Sequence, residues 1–215
     1  MTLRRRILLQ GFMLGIAGWS GLGSLMPLRP GHAQMAAAGR LSRSAGSVVV
    51  VRGGSEMPVN TGAEIVATDT IRTGADSRAE VTFSDGSVLT IGADSEVVVA
   101  QFAPDEAEAN AFLDLLSGIV RVTVNKATGW GKFDVRTSTA VASVRGTEYL
   151  VDSTDAASAV FVVEGRVAVS SRAGAGTVVI RAGQGVDVTA EYVPLAVKTW
   201  GAKRRDAALA RVTFP

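Results

Sequence analysis

From Gly46 onward the chain is a succession of short apolar and β-branched runs, separated about every eight to twelve residues by glycine-containing turns, the pattern of an all-β domain. Val48-Val49-Val50-Val51 opens the series. Ala79, Val81 and Phe83 alternate with Arg78, Glu80, Thr82 and Ser84, a period of two that gives one buried and one solvated face. Phe133, Val135 and Thr137 alternate in the same way with Asp134, Arg136 and Ser138. The run Ala159-Val160-Phe161-Val162-Val163 holds no polar residue and reads as a strand covered on both faces. Val167/Val169, Val178/Ile180 and Val186/Val188 continue the pattern, for a total of roughly ten to thirteen strands. No proline lies between Pro58 and Pro104 or between Pro104 and Pro194, so strands there lack no backbone donor.

The turn Asp85-Gly86 fixes a register. A two-residue loop would place Leu89 and Ile91 on the face of Glu80 and Thr82. A three-residue loop, Ser84-Asp85-Gly86 with a left-handed glycine, sets Val81 against Leu89 and Ala79 against Ile91 and aligns the apolar sets. The pattern therefore predicts the odd-length loop.

Three segments carry no such alternation. Residues 34–45 read as a linker. Pro104-Asp105-Glu106 resembles a helix start, but Phe112 to Leu116 runs into Ser117-Gly118-Ile119-Val120, so 105–110 reads as an exposed acidic loop or single turn followed by strand from about Ala111. Ala196 to Val212, with Trp200 and Lys203-Arg204-Arg205, has a helix-forming composition at the C-terminus. Its basic run reads as a solvated helix face, with a docking patch as the alternative.

The chain has 215 residues, no cysteine, one histidine and a formal charge of +2. Thiol chemistry, disulfides and Cys-ligated metals are excluded. The positive balance is local. Residues 1–33 contain Arg4, Arg5, Arg6, Arg29 and His32 and no acid. A basic start, an apolar glycine-rich stretch from Gly11 to Met26 and a polar end at Pro30-Gly31-His32-Ala33 have the layout of an export signal with cleavage after Ala33. Arg5-Arg6-Ile7-Leu8-Leu9-Gln10 is similar to a twin-arginine signal, an ordinary Sec signal being the alternative. The apolar stretch is shorter than the ~20 residues of a membrane-spanning helix. Cleavage leaves 18 basic and 20 acidic residues, a charge of −2, and removes the only histidine. Imidazole general-base catalysis and His-ligated metals are then excluded as well, and nucleic acid is not an expected partner.

The longest motif is Phe133-Asp134-Val135-Arg136-Thr137-Ser138-Thr139-Ala140-Val141-Ala142-Ser143-Val144-Arg145-Gly146-Thr147-Glu148-Tyr149. Upstream lie Thr73-Gly74 and Phe83-Ser84-Asp85-Gly86-Ser87; downstream lie Val163-Glu164-Gly165-Arg166-Val167 and Ala182-Gly183-Gln184. Over 46–189 these five elements, in this order, resemble the FecR domain family. The resemblance implies a coiled, solenoid-like β-sandwich of the kind found in periplasmic parts of membrane regulators that relay iron-siderophore signals from an outer-membrane receptor to a sigma factor. Such regulators carry a sigma-binding helical domain and one membrane span ahead of this domain. Here a signal of about 33 residues stands in that place, so a freestanding exported module with no lasting membrane span is the expectation.

In physical terms the motif residues Asp85, Gly86, Ser87, Val144, Arg145, Gly146, Thr147, Glu164, Gly165, Gly183 and Gln184 read as structural. Gly146 marks a bend or bulge that admits no side chain. Thr147 is placed to satisfy a turn backbone group. Arg145 could cap that corner, pair with Glu148 or bind an anion. Trp130, flanked by glycines, either anchors a ligand or folds over the core. Asp69, Asp76, Asp85 and Asp94 lack the dense spacing of a calcium loop. No catalytic residue, metal or cofactor is assigned. The domain boundaries read as 1–33 signal, 34–45 linker, 46–190 β-domain and 191–215 tail. The favoured function is a non-enzymatic periplasmic or secreted module that binds an envelope protein or an extracellular ligand. Sheet edges, or loops such as 103–110 and 126–131, would make the contact. The alternatives are a membrane-retained regulator in iron-responsive sigma-factor signalling and an envelope glycan enzyme built on two carboxylates.

Overall fold

The computed structural model describes residues 37–172, 176–189, 191 and 196–215; the segment read above as an export signal, with Arg5, Arg6 and the expected cleavage position after Ala33, lies outside them. Seventeen strands and one α-helix occur among the described residues. In chain order they are β1 (Ala37–Ala45), β2 (Val48–Arg52), β3 (Ser55–Pro58), β4 (Glu64–Val66), β5 (Thr70–Thr73), β6 (Arg78–Phe83), β7 (Val88–Ile91), β8 (Glu96–Ala103), β9 (Asn110–Thr123), β10 (Lys132–Arg136), β11 (Ala140–Val144), β12 (Glu148–Ser153), β13 (Ser158–Glu164), β14 (Arg166–Ser171), β15 (Thr177–Arg181), β16 (Gln184–Val188) and β17 (Lys198–Thr199), followed by α1 (Ala202–Arg211). The additional strands are mostly two to four residues long, too short to show a period in the sequence.

The sheet is open and bent double into two layers. Layer A runs β4-β1-β6-β7-β9-β12-β13-β16-β17 and layer B runs β3-β2-β5-β8-β9-β10-β11-β14-β15. Among the described residues, only β9 and β10 pair in parallel. The long strand β9 belongs to both layers: Asn110–Ser117 pairs in layer B and Gly118–Thr123 in layer A. Alternate residues of both layers, among them Val81, Leu89, Val99, Leu113, Phe133, Val151 and Val169, meet in one continuous core.

The layer crossings are built by a repeated turn. Gly74-Ala75-Asp76-Ser77 carries the chain from β5 to β6, and Gly92-Ala93-Asp94-Ser95 carries it from β7 to β8. In each, the aspartate is left-handed (φ 53° and 50°). Each serine hydroxyl donates two residues back, to Ala75 O and Ala93 O, and accepts the backbone N–H of a second crossing, Ser47 at 2.9 Å and Ile119 at 3.1 Å. Gly46 and Gly118 are the residues that make this approach possible. Both have positive φ, and a Cβ would fall 2.4 Å from Ser77 Oγ and 2.1 Å from Ser95 Oγ, respectively.

The hairpin β6–β7 has the odd-length loop and the predicted register, Ala79 opposite Ile91 and Val81 opposite Leu89, with Gly86 at φ 85°. The acidic stretch is an exposed turn ahead of β9. The strand through Phe161 is indeed covered on both faces: Val160 and Val162 enter the main core, while Phe161 joins Ile119 and Leu150 beneath Trp200 and Val212 of the C-terminal segment. Trp200 stacks on Phe161 with ring centroids 4.8 Å apart. Each such buried side chain contributes about 1.5–3 kcal/mol. The segment around α1 is therefore an integral cover of layer A, not a free tail. Two of its basic residues serve that cover: Arg204 pairs with Asp187 and lies over Trp200, and Arg211 pairs with Asp152.

Residues 37–45 overturn the linker reading. They form β1, between β4 and β6, with Ala38 and Leu41 buried. Register shifts at Ala37/Gly39 and Leu41/Arg43 break the alternation that would have revealed the strand.

Candidate functional site

Most motif residues are joints. Asp85 sits in the β6–β7 turn and its carboxylate accepts four hydrogen bonds: from Ser87 N (2.9 Å) and Ser87 Oγ (2.6 Å), and from Thr128 Oγ1 (2.9 Å) and Trp130 Nε1 (3.0 Å) across the sandwich end. Ser87 Oγ accepts Asn125 N at 2.9 Å. Trp130 is 2% exposed and packs edge-on against Phe102 and Phe133, each with centroids 5.4 Å away. It cannot be a ligand anchor, because the glycines on either side let the loop turn the indole inward to Asp85.

The Val144-Arg145-Gly146-Thr147 segment is the crossing from β11 in layer B to β12 in layer A. It meets the β13–β14 crossing at Gly165. Thr147 Oγ1 donates to Arg166 O at 3.0 Å, satisfying a turn carbonyl as expected. Gly146 has φ 126°, and a Cβ there would lie 2.3 Å from Lys126 Cγ. Lys126 Nζ reaches Glu164 at 2.9 Å, and that hydrogen bond, with the ammonium charge, holds the Glu164 carboxyl below its ordinary range. Gln184 Oε1 accepts the Arg181 N–H at 2.9 Å. Glu148 pairs with Arg121 through Nε at 2.8 Å rather than with Arg145. Asp69 is fully buried and forms a two-point pair with Arg52 at 2.7 Å.

Arg145 is the exception among the motif residues. It is exposed and forms no ion pair among the described residues. It lines a groove of about 630 Å³ on the outer face of layer B, with Lys132, Asp134, Ser143, Arg166, Ala168 and Val179. The registers explain the grouping. Phe133 stands opposite Val144, Ser143 opposite Ala168 and Arg166 opposite Arg181. Continued past the paired residues, they place Lys132 of β10, Arg145 just beyond the end of β11, Arg166 of β14 and Arg181 of β15 abreast on the outer face. All four are exposed, and none is in an ion pair among the described residues. Like charges directly opposite on neighbouring strands destabilise a sheet. The next row inward is Asp134, Ser143, Ala168 and Val179. Asp134 is the groove's one carboxylate; its Oδ1 is buried with no hydrogen-bond partner among the described residues. Opposite the outer face, Tyr149 is fully buried, its hydroxyl equally unpartnered. Burial, and then the charge of Asp134, pushes that phenol well above the ordinary tyrosine value.

Sequence reasoning singled out Arg145 but not Lys132, Arg166 or Arg181. Each is a lone cation in a separate strand, and only the β10–β11–β14–β15 register brings them together.

The fold is thus a coiled two-layer β-sandwich with glycine corners at its crossings and, on one outer face, a cationic row without ion pairs among the described residues. Residues 69–168 match the family model described as FecR protein. The matched stretch contains the Asp85 turn, the Val144–Thr147 crossing and Gly165. Two crystal structures, at 1.65 and 2.50 Å, of a "putative anti-sigma factor" from Parabacteroides distasonis ATCC 8503 share this fold, with a TM-score of 0.53 and 22% identity over 65% of the present chain. The chain spans 64% and 63% of the length of those two chains. No curated protein matches it. No helix among the described residues is long and apolar enough to cross a membrane.

Proposed function

We propose that this chain is a non-enzymatic, exported FecR-domain module of the bacterial envelope that takes part in signalling by binding an acidic surface of another protein. The observation that carries the reading is the row Lys132, Arg145, Arg166 and Arg181. Four exposed cations held abreast without counter-ions cost stability in the free protein, and an acidic partner relieves that cost. The open, shallow site suits a protein surface better than a small molecule, which is typically enclosed on most sides. The FecR domain, and the description of the structural relatives, support a regulatory role. A receptor or regulator at either membrane fits the same chemistry. The glycan-enzyme alternative needs two carboxylates across one cleft. The groove offers Asp134, while Asp85, Glu148 and Glu164 are engaged as described above.

The test is affinity capture from envelope extracts on the purified chain and on the Arg145→Glu/Arg166→Glu variant. A protein retained by the first, lost from the second and released by raised salt supports the reading; identical retention by both overturns it. N-terminal sequencing of the cellular protein tests export. A start at Gln34 in the periplasmic or secreted fraction supports it, and an intact N-terminus in membranes supports the anchored regulator instead.

A further inference from the structure

We propose that the partner segment adds as a strand to the open edge of β15 and carries an acidic residue two positions from an apolar one. The inference rests on the binding role argued above and adds the mode of contact. β15 ends layer B, and among the described residues no strand pairs with its outer edge. The hydrogen-bond phase of that edge follows from two contacts. Ser171 N donates to Gly176 O at 2.9 Å, so the pairs formed with β14 by Val178 and Ile180 are the hydrogen-bonded ones, and Thr177, Val179 and Arg181 turn their N–H and C=O groups outward. Gln184 Oε1, accepting the Arg181 N–H at 2.9 Å, shows the same phase independently. The backbone groups of Thr177 and Val179 thus face outward, ready for a further strand.

The side chains on that edge specify the occupant. Val179, 54% exposed, is the most exposed large apolar residue among those described. Arg181, two residues on, shares its face and ends the cationic row. A strand added beside β15 continues the outer face of layer B. Its residue opposite Arg181 extends a row of four positive charges, where a carboxylate is favoured and a lysine opposed. Its same-face neighbour two positions away meets Val179, where an apolar side chain is favoured. A second copy of this chain is disfavoured as occupant by the charge of its own row.

The probe is a fluorescein-labelled peptide, Thr-Glu-Thr-Val-Thr-Glu-Thr, which places a glutamate two residues from the valine in either strand direction. Fluorescence anisotropy with the full chain is expected to show binding, with slowed amide hydrogen exchange at Thr177 and Val179. Replacing both glutamates by lysine, or introducing Val179→Pro, weakens it by about tenfold or more, equivalent to ~1.4 kcal/mol. Proline removes an outward N–H and no ladder bond, so the variant should fold. Thr177→Pro, outward at the same edge, repeats the test if melting shows otherwise. Binding that survives both prolines but is lost in Arg145→Glu/Arg166→Glu overturns strand addition and leaves the binding role standing. Binding that survives the charge reversal overturns the acidic specificity and the functional reading together. Failure to bind the peptide, adsorption to phosphatidylglycerol vesicles in its place, or a dimer abolished by Val179→Pro overturns the proposed occupant.

Discussion

The indole Nε1 of Trp130 donates a 3.0 Å hydrogen bond to Oδ2 of Asp85, 45 residues earlier in the chain. That contact ties the β6–β7 turn to the loop that leads into β10, so the position of the first groove strand depends on a carboxylate in a distant hairpin. Trp130→Phe keeps most of the ring packing and removes the donor, and is expected to cost about 1.5–3 kcal/mol, the range for a hydrogen bond to a charged group. Asp85→Ala loses the other acceptor contacts too and should cost more. In a double-mutant cycle measured by urea denaturation the two losses should be clearly non-additive. Additive losses would show that the bond contributes nothing.

Gly185 lies beneath Trp200. A Cβ at position 185 would sit 2.2, 2.6 and 2.8 Å from three indole atoms, so Gly185→Ala must displace the ring that stacks on Phe161. The predicted cost is about 1–3 kcal/mol, typical of overpacking. The loss should be regional as well as global. Limited proteolysis should cut within 196–215 faster in the variant, while the β6–β7 hairpin stays protected. Unchanged cleavage there would show that the C-terminal cover does not depend on Trp200.

Tyr149 offers a test with the opposite sign. Its hydroxyl is buried without a partner among the described residues, and its folded pKa is raised by burial and by Asp134. Stability from a group raised in this way is fully present below the unfolded tyrosine value of about 10 and declines as the pH rises above it. Tyr149→Phe should therefore flatten the loss of stability above pH ~10. At neutral pH, removing an unsatisfied hydroxyl should leave stability unchanged or raise it by up to about 1–3 kcal/mol. Urea midpoints at the two pH values, for wild type and variant, decide it; a steep loss retained in the variant would assign the alkaline sensitivity to other groups.

How much of this was legible from residue order depended on whether the signal was local. The Ser84-Asp85-Gly86 loop could be read because both flanking strands alternate strictly and one register alone aligns their apolar sets. The joint roles of Gly146 and Thr147 were legible for a similar reason: a left-handed corner and a hydroxyl that satisfies a turn are short-range chemistry. β1 was hidden by its two bulges. The tandem Gly-Ala-Asp-Ser turns were present as an exact repeat, and that repeat was the missed clue to the layer crossings. Trp130 was ambiguous because glycines free a loop without setting its direction; the direction is set by Asp85, Phe102 and Phe133. The cationic row was not legible at all, since it is a property of pairing among β10, β11, β14 and β15, a register that no local pattern encodes.

That row makes a prediction independent of any partner. If Lys132, Arg145, Arg166 and Arg181 repel one another in the free protein, dilute salt should lower stability and added salt should restore it, because exposed charges a strand spacing apart are screened over a Debye length of about 10 Å at 0.1 M. Arg166 stands between Arg145 and Arg181, so Arg166→Gln removes two of the row's three neighbouring repulsions. It should raise stability at low ionic strength by about 0.2–1 kcal/mol and reduce the salt dependence of the melting temperature. Arg72→Gln is the control, because Arg72 is paired with Glu56 and Glu96; its loss should lower stability slightly or leave it unchanged. If Arg166→Gln behaves like Arg72→Gln, the four cations are splayed too far apart to repel, and the energetic argument for an acidic partner fails with them.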